Sequence, residues 1–321
     1  MKILVTGAAG FIGSKLMCSL SKRGDEVVGV DNFNDYYDVR LKHARVREFG
    51  LDVLKLDIAD KPALDALFAR ERFDKVVNLA AQAGVRYSIS HPYDYLSSNL
   101  SGFLNILEAC RNNKVKHLVY ASSSSVYGLN AKVPFSEKDK VDAPVSLYAA
   151  TKLSNELMAH AYCMLYGISM TGLRFFTVYG PWGRPDMAPM LFASAIRNGE
   201  PIKVFNNGDL IRDFTYIDDI VDGTIRCIDQ DPSLDENGLP YRIYNIGCSS
   251  PVKLMAFIST LENAMGREAK KEYLPMQLGD VYQTYADTSL LAAETGYRPH
   301  ITINEGVERF IAWYNSEKNP L

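Results

Sequence analysis

Residues 2–13 read KILVTGAAGFIG, and this stretch joins a short apolar run to three closely spaced glycines. The run at 3–5 predicts a buried parallel strand that ends at a glycine turn. Gly7 and Gly10 allow the backbone to approach a pyrophosphate, and the helix that follows directs its free amides toward that group. Gly13 lets this helix pack close to the strand. The stretch therefore predicts a nucleotide-binding turn.

The second predicted strand, 26–30, is followed directly by Asp31. A carboxylate at this position accepts hydrogen bonds from the hydroxyls of an adenosine ribose and repels a 2′-phosphate, so the sequence favours NAD over NADP. A glycine pattern alone is often an ordinary turn. The order strand, glycine turn, helix, strand and acid indicates a dinucleotide site.

Predicted strands and helices alternate through the first half of the chain. Further strands are expected at 51–57, 75–79, 116–121 and 170–175, and helices at 61–71, 93–113 and 146–166. This alternation predicts an α/β fold with a doubly wound, parallel Rossmann-type sheet, in which ligands bind at the carboxyl ends of the strands. The residues expected there are Gly7, Asp31, Asp57, Ile58, Leu79, Ala80, Ala81, Ser122, Ser123, Phe175, Phe176 and Thr177.

Two residues of the predicted helix 146–166, Tyr148 and Lys152, are four positions apart and share one face. A nearby ammonium group favours the phenolate, so we expect Lys152 to lower the pKa of Tyr148. Ser123 can share the same substrate proton. This spacing also arises by chance on packed helices, but together with the nucleotide turn it favours proton transfer on a carbinol oxygen.

Beyond residue 176 the alternation weakens, and YGPWGRP at 179–185 predicts a turn-rich loop. The elements expected after it are helices at 188–198 and 217–229, strands at 201–205 and 212–216, a turn at 279–280 and two late helices. We expect two domains with a substrate cleft between them. The expected boundaries are 1–172 plus 213–247 for NAD and 173–212 plus 248–321 for the substrate.

The composition excludes several classes of protein. The chain has 321 residues, 47% of them hydrophobic, and a net charge of −3, which gives no reason to expect nucleic acid or an anionic membrane as a partner. The first strand starts at the amino end and no apolar run is long enough for a bilayer, so neither signal peptide nor membrane span is expected. Five scattered cysteines predict free thiols in a reducing, cytoplasmic compartment, and five dispersed histidines predict no metal site.

Several longer strings extend this pattern. They are TGAAGFIG at 6–13, NLAAQAG at 78–84, SNLSGFLNILEACR at 98–111, SSSSVYG at 122–128, YAATK at 148–152, RFFTVYGPWGRPDM at 174–187 and RDFTYIDD at 212–219. With them the chain resembles, over nearly its whole length, the extended short-chain dehydrogenase/reductase family of nucleotide-sugar epimerases and dehydratases. The string at 174–187, supported by VDNFNDYYDVRLKHAR at 30–45, is most similar to members that act on UDP-glucuronate.

The resemblance implies roles for individual residues. Ser123 is the implied catalytic hydroxyl, Tyr148 the proton-transfer residue, and Lys152 the group that lowers the phenol's pKa and binds the nicotinamide ribose. Family members that eliminate water carry an acid pair where Ser124 and Ser125 stand, so dehydration is disfavoured. The implied contacts of NAD are Gly7, Gly10, Phe11, Ile12, Gly13, Asp31, Asn32, Asp57, Ile58, Leu79, Ala80, Ala81, Asn99, Ser122, Tyr148, Lys152 and Phe175.

A UDP-sugar substrate with a carboxylate needs a cation, and Arg184 offers a bidentate fork. An isolated arginine is usually solvated, but the family string favours a functional role here. Thr177 can add a hydroxyl, and Arg86 is a second candidate. The other expected substrate residues are Ser123, Ser124, Arg212 at a phosphate position, Gln277 in place of a second arginine, Asp280, and Phe205, which either packs on uracil or is an ordinary core aromatic.

The activity that the resemblance implies is interconversion of UDP-glucuronate and UDP-galacturonate through a 4-keto intermediate and transient NADH. The alternatives are a UDP-glucose or UDP-N-acetylglucosamine 4-epimerase, a UDP-glucuronate decarboxylase, and a non-catalytic NAD-binding scaffold. Intact Tyr148 and Lys152 argue against the scaffold. Relatives pair the helices corresponding to 98–111 and 146–166 across a two-fold axis, so a homodimer is expected, although apolar helix faces are also typical of an internal core.

Overall fold

The computed structural model describes residues 1–321. The strands are β1 (Lys2–Thr6), β2 (Glu26–Asp31), β3 (Val53–Lys55), β4 (Lys75–Asn78), β5 (His117–Ser123), β6 (Ser169–Phe175), β7 (Thr177–Tyr179), β8 (Pro201–Val204), β9 (Ile211–Arg212), β10 (Phe214–Tyr216), β11 (Tyr241–Ile246), β12 (Val252–Lys253) and β13 (Lys270–Tyr273). The helices are α1 (Phe11–Arg23), α2 (Val39–Glu48), α3 (Lys61–Glu71), α4 (Tyr87–Ser90), α5 (Pro92–Tyr95), α6 (Gly102–Asn112), α7 (Leu147–Tyr166), α8 (Ala188–Asn198), α9 (Ile217–Asp229), α10 (Leu254–Met265), α11 (Ser289–Thr295) and α12 (Ile303–Tyr314). None of these helices combines the length and the apolar character that crossing a membrane requires.

Seven parallel strands form the central sheet in the order β11-β6-β5-β4-β1-β2-β3. Both faces of the sheet are buried, since Ile3 and Val5 of β1 pack in one core cluster and Leu4 packs in another. Such two-sided burial is typical of a parallel sheet covered by helices. The predicted doubly wound sheet is confirmed. Its strand order reverses between β1 and β4, which is where ligands bind in this class of fold.

Three two-stranded sheets lie outside the central sheet, and they pair β7 with β10, β8 with β13, and β9 with β12. Their strands come from both sides of β11 in the sequence, so the second lobe is built from non-contiguous segments. The largest core cluster joins the lobes, because it contains both Val5 and Phe257. The domain boundaries expected from the sequence remain a prediction.

The structure differs from the predicted elements in four places. The sheet has a seventh strand, β11, and α2 precedes β3; neither was predicted. The predicted helix 93–113 is interrupted by a π-helical segment, Leu96–Ser101, which carries Asn99. The predicted strand 212–216 is broken at Asp213, because this carboxylate turns inward and accepts hydrogen bonds from backbone amides that include those of Cys248 and Ala286.

Arg45 of α2 is fully buried and has no carboxylate partner. Its Nη1 donates to the carbonyl of Ala9 in the glycine turn at 3.1 Å. Its Nε and Nη2 donate to the carbonyl of Trp182 at 3.0 and 2.7 Å. Arg45 therefore ties the glycine turn to the loop 179–187, on which Arg184 lies.

Candidate active site

A cleft of about 350 Å³ lies along the carboxyl edge of the central sheet. Residues that follow separate strands meet here, as the parallel topology requires. The predicted site residues that line the cleft are Gly7, Gly10, Phe11, Ile12, Gly13, Asp31, Asn32, Asp57, Ile58, Leu79, Ala80, Ala81, Ser122, Ser123, Ser124, Tyr148, Lys152, Phe175, Thr177 and Arg184.

The glycine turn between β1 and α1 has the geometry of an anion site. Gly7 has a φ of +68°, a conformation that favours glycine. The amide of Gly10 donates to the Gly7 carbonyl at 2.9 Å and closes the turn. A Cβ at Gly13 would lie only 2.1 Å from the Gly7 carbonyl oxygen. Glycine at these positions lets α1 begin directly beside the turn, which fits the pyrophosphate of NAD.

Asp31, at the end of β2, is buried against the same turn. Its carboxylate accepts hydrogen bonds from the amides of Ala9 at 3.1 Å and Phe33 at 2.8 Å. Lys42 of α2 places its Nζ 3.7 Å from Asp31 Oδ1 and also lines the cleft. An acceptor and a cation here fit the adenosine end of NAD. The sequence reasoning missed Lys42, for which the only signal was its place in the string 30–45.

Tyr148 lies in the first turn of α7, which Ser146 caps by accepting a hydrogen bond from the amide of Ala149 at 3.1 Å. Ser123 is the last residue of β5. Burial raises the pKa of the Tyr148 phenol, whereas the Ser123 hydroxyl and the Arg184 guanidinium act to lower it. The structure therefore brings a phenol, a hydroxyl and a guanidinium close enough to influence one another.

Lys152 lies one turn beyond Tyr148 on α7, as predicted. Its Nζ donates to the carbonyl of Ala121 at 2.8 Å, and burial lowers its pKa to about 8. The pKa of Tyr148 is raised, and Lys152 is not among the groups that act on it. The ammonium group is hydrogen-bonded to β5 in this structure, and burial of the phenol dominates its pKa. The expectation that Lys152 lowers the phenol's pKa stays a prediction.

Arg184, in the loop after β7, forms a bidentate ion pair with Asp186. Asp186 also accepts a hydrogen bond from the Tyr36 hydroxyl at 2.9 Å. Burial acts to lower the pKa of Arg184, but Asp186 together with Tyr36 and Tyr148 more than offsets this, and the pKa is raised. The sequence predicted Arg184 but not its pairing with Asp186, which depends on how the two side chains turn within one loop. It did not predict Tyr36 either, because Tyr36 is distant in the chain and only the folded loops bring it to Asp186.

Five expected substrate residues lie outside the residues that line the cleft, namely Arg86, Phe205, Arg212, Gln277 and Asp280. Arg212 Nη2 is 2.6 Å from Asp280 Oδ1, and the amide of Asp280 donates to the Gln277 carbonyl at 3.2 Å, so these three residues are brought together. Gly279, in the same turn as Gln277 and Asp280, is close to the cleft, since a Cβ there would lie 3.1 Å from Val85, which lines it. Phe205 packs against the largest core cluster, which fits the alternative of a core aromatic.

Asn99, an expected NAD contact, also lies apart from the cleft lining, as Arg86 does. Asn99 is buried, where its side chain accepts from the amide of Gln82 at 2.8 Å and donates to the carbonyl of Gln82 at 3.0 Å. It therefore shapes the loop after β4. Arg86 is exposed just before α4. Contacts of either residue with a ligand remain predictions.

The profile of the NAD dependent epimerase/dehydratase family matches residues 3–247. The chain belongs to this family. As in the sequence-based expectation, its members are enzymes of the extended short-chain dehydrogenase/reductase type, and NAD is the cofactor that the glycine turn and Asp31 fit.

Named relatives of this epimerase/dehydratase family member are similar over almost the entire chain. It is 48% identical to UDP-glucuronate 4-epimerase 4 of Arabidopsis thaliana, in an alignment that covers 98% of this chain and 75% of the plant protein. It is 46% identical to a probable UDP-glucuronate 4-epimerase of Rhizobium meliloti, with 98% and 97% covered. The crystal structure of UDP-glucuronic acid 4-epimerase from Bacillus cereus with UDP-glucuronic acid and NAD superposes with a TM-score of 0.90 at 35% identity, with 98% of each chain covered.

Proposed function

We propose that this chain is a UDP-glucuronate 4-epimerase, which interconverts UDP-glucuronate and UDP-galacturonate with NAD as its cofactor. The observation that carries the proposal is the position of Arg184, which lines the same cleft as Tyr148 and acts on the pKa of its phenol. A guanidinium binds a carboxylate through two parallel hydrogen bonds. The site thus suits an acidic sugar whose reacting carbon lies beside Tyr148, and the named relatives support the same activity.

The protein's own part in the reaction is to hold the sugar and move a proton. Bound NAD would supply the hydride transfer at carbon 4, in both directions. Tyr148, as phenolate, accepts the proton of the 4-hydroxyl, and Ser123 shares this path. After the oxidised ring turns and presents its other face, Tyr148 returns the proton and carbon 4 is inverted. A positioned acid–base group of this kind contributes about 10²–10⁴-fold to the rate.

The carboxylate of the substrate has to be held throughout this cycle. The 4-keto sugar is a β-keto acid, which loses carbon dioxide when its carboxylate bond stands perpendicular to the carbonyl plane. Arg184 and Thr177 are proposed to keep the carboxylate out of that orientation. Serines rather than an acid pair at positions 124 and 125 fit epimerisation better than elimination of water.

The diphosphate is proposed to bind at the border of the cleft. Arg212 supplies the cation there, and its ion pair with Asp280 orients it. Gln277, in the same turn, stands in for a second arginine as a neutral hydrogen-bond donor. Ser124 completes the sugar contacts, and Arg86 remains a second candidate for the carboxylate.

The assembly is proposed to be a homodimer through α6 and α7. Support comes from α7, on which Leu157, Met164 and Leu165 are 66%, 63% and 68% exposed. Leu104 of α6 is 40% exposed. Apolar side chains at this helical spacing form one continuous face, which a second copy would cover. A reducing, cytoplasmic location is also proposed, supported by five cysteines that are all free thiols.

The test is to incubate the purified protein separately with UDP-glucuronate, UDP-glucose and UDP-N-acetylglucosamine, while following the sugar protons by NMR and the release of carbon dioxide. We expect UDP-galacturonate from the acid without gas. Tyr148→Phe should keep its affinity for NAD and lose about 10³-fold in turnover. A UDP-pentose product would instead identify a decarboxylase, and turnover of only a neutral sugar would remove Arg184 from its proposed role.

A further inference from the structure

Asp186 occupies one edge of the Arg184 guanidinium. Arg184 Nε donates to Asp186 Oδ1 at 3.0 Å and Nη2 donates to Oδ2 at 2.5 Å. Both residues belong to one turn, in which the amide of Met187 donates to the Arg184 carbonyl at 3.2 Å. A guanidinium has five N–H groups, so this side-on pair leaves the Nη1 protons and one Nη2 proton for another acceptor. That end-on edge can bind a second carboxylate bidentately.

Tyr36 is a second hydrogen-bond donor to Asp186. Its hydroxyl donates to Asp186 Oδ2 at 2.9 Å, and burial raises its pKa to about 12, so it remains a donor at neutral pH. The loop after β4 fixes Tyr36 in turn. A Cβ on Gly84 would lie 2.4 Å from the Tyr36 hydroxyl, and the rings of Tyr36 and Tyr87 pack with centroids 4.7 Å apart. Asp186 is therefore held by hydrogen bonds from both Arg184 and Tyr36.

We propose that Asp186, fixed by Tyr36, is a positioning residue that aims the end-on edge of Arg184 at the sugar carboxylate. The inference rests on the proposed function and deepens it, because it names the group that makes the site selective for an acidic sugar. Asp186 balances the charge of Arg184 without taking its end-on edge. The arginine then recognises the carboxylate by its orientation, which also controls whether the keto acid keeps its carbon dioxide.

The side reaction that this arrangement suppresses gives the inference a direct readout. In the 4-keto sugar the bond between carbon 5 and the carboxyl carbon breaks, and its electron pair forms the enolate of the 4-ketone. Carbon dioxide leaves, and a proton from water adds to carbon 5, which yields a UDP-4-keto-pentose. Misalignment of Arg184 can therefore be detected by measuring the release of carbon dioxide and the formation of the UDP-4-keto-pentose.

The experiment compares the wild-type protein, with NAD, with two variants. Asp186→Asn keeps the shape of the side chain and removes its charge, and Tyr36→Phe keeps the ring and removes the hydroxyl. For Asp186→Asn we expect KM and the calorimetric Kd for UDP-glucuronate to rise about tenfold, as loss of a charge-assisted hydrogen bond predicts. Carbon dioxide and the 4-keto-pentose should appear, while binding of UDP-glucose stays unchanged. Tyr36→Phe should show smaller changes in the same direction.

Asp65→Asn is the matched control, because Asp65 pairs with Lys61 on the exposed side of α3 and should change nothing. A fall in KM for UDP-glucuronate in Asp186→Asn would overturn the inference, since Asp186 would then compete with the substrate; unchanged KM and products would overturn it too. If Asp186→Asn does not fold, Tyr36→Phe becomes the test of the inference. If Tyr36→Phe then releases no carbon dioxide from UDP-glucuronate, the inference is contradicted. Failure of the proposed function is distinct, because the wild-type protein itself would then neither bind nor convert UDP-glucuronate.

Discussion

Lys152 carries an ammonium group into the interior beside the end of β5. Burial lowers its pKa from the usual 10.5 to about 8. Between these two pH values the unfolded chain binds a proton that the folded chain does not, so the contribution of Lys152 to stability rises with pH across this window. Below pH 8 both states are protonated, and the buried charge costs the folded state on the order of 3 kcal/mol.

Replacing this residue tests that cost. Lys152→Met keeps the length of the stem and removes the charge, at the loss of the hydrogen bond to the Ala121 carbonyl. We expect the variant to be more stable than the wild type at pH 7 by roughly 2 kcal/mol, and the difference to shrink between pH 8 and 10.5. Urea unfolding of both proteins across this range measures it, and a difference that does not vary with pH would contradict the assignment. The variant should have almost no turnover.

At the scale of elements, the junction of β1 with α1 allows no side chain at Gly13. A Cβ there would meet three backbone atoms of the turn within 3.2 Å. Gly13→Ala should therefore displace α1, lower the free energy of unfolding by about 2–3 kcal/mol and abolish tight binding of NAD. Thermal melts and a fluorescence titration with NAD measure both effects. Gly24→Asn, at the open end of the same helix, is the control and should cost less than about 1 kcal/mol.

A buried ion pair connects α7 to the central sheet. Arg174 of β6 donates from Nε and Nη2 to the two carboxylate oxygens of Glu156 at 2.9 and 2.8 Å. The hydroxyl of Ser122, next to Ser123, donates to the same carboxylate at 2.5 Å. The pair thus joins the helix that carries Tyr148 to the strand end that carries Ser123.

Removing one partner of this pair leaves the other charge buried and uncompensated. Glu156→Gln should lower the free energy of unfolding by about 3–5 kcal/mol, measured by urea denaturation. The double variant Glu156→Leu/Arg174→Met should recover part of that loss. Asp142→Asn, which breaks the exposed pair with Lys140, should change stability by less than about 1 kcal/mol. If Glu156→Gln and Asp142→Asn lowered the free energy of unfolding equally, the buried ion pair would not have the stabilising role described here.

Local patterns sufficed to predict the elements and residues that depend on neighbours in the chain. The glycine turn, Asp31 and the pairing of Tyr148 with Lys152 on one helix face follow from spacing within single elements. Arg184 was predicted from its string, but its ion pair with Asp186 was not, because the spacing of two residues in an irregular loop does not show which way their side chains turn. The contact of Tyr36 with Asp186 was not predicted either, because contacts between two loops leave no periodic trace. Strand β11 was missed for a similar reason, since it follows a long irregular segment and completes the sheet at its far edge. The rise in the pKa of Tyr148 could not be predicted from the sequence, because it depends on how deeply the phenol is buried.

At the scale of the whole molecule, the exposed apolar face of α7 permits a test of the proposed dimer. Leu157→Glu together with Leu165→Glu should convert the dimer to monomers, because two charges per chain would be buried at the centre of the contact. Sedimentation velocity measures this change. Leu191→Glu is the control, as Leu191 is 45% exposed on α8, away from this face. If the wild type already sediments as a monomer, the proposed assembly is wrong.

The hydrogen bonds of Arg45 to the carbonyls of Ala9 and Trp182 have a consequence for how new substrate specificities arise in this fold. If the segment 179–187 were replaced by that of another enzyme, the Arg45 guanidinium would lose its hydrogen bonds to the Trp182 carbonyl. Because Arg45 also holds the glycine turn, binding of the cofactor would weaken as well. The segments 30–45 and 179–187 should therefore be exchanged together when the specificity of the enzyme is changed. A chimera that receives both should retain its dinucleotide, whereas one that receives only the second should lose it.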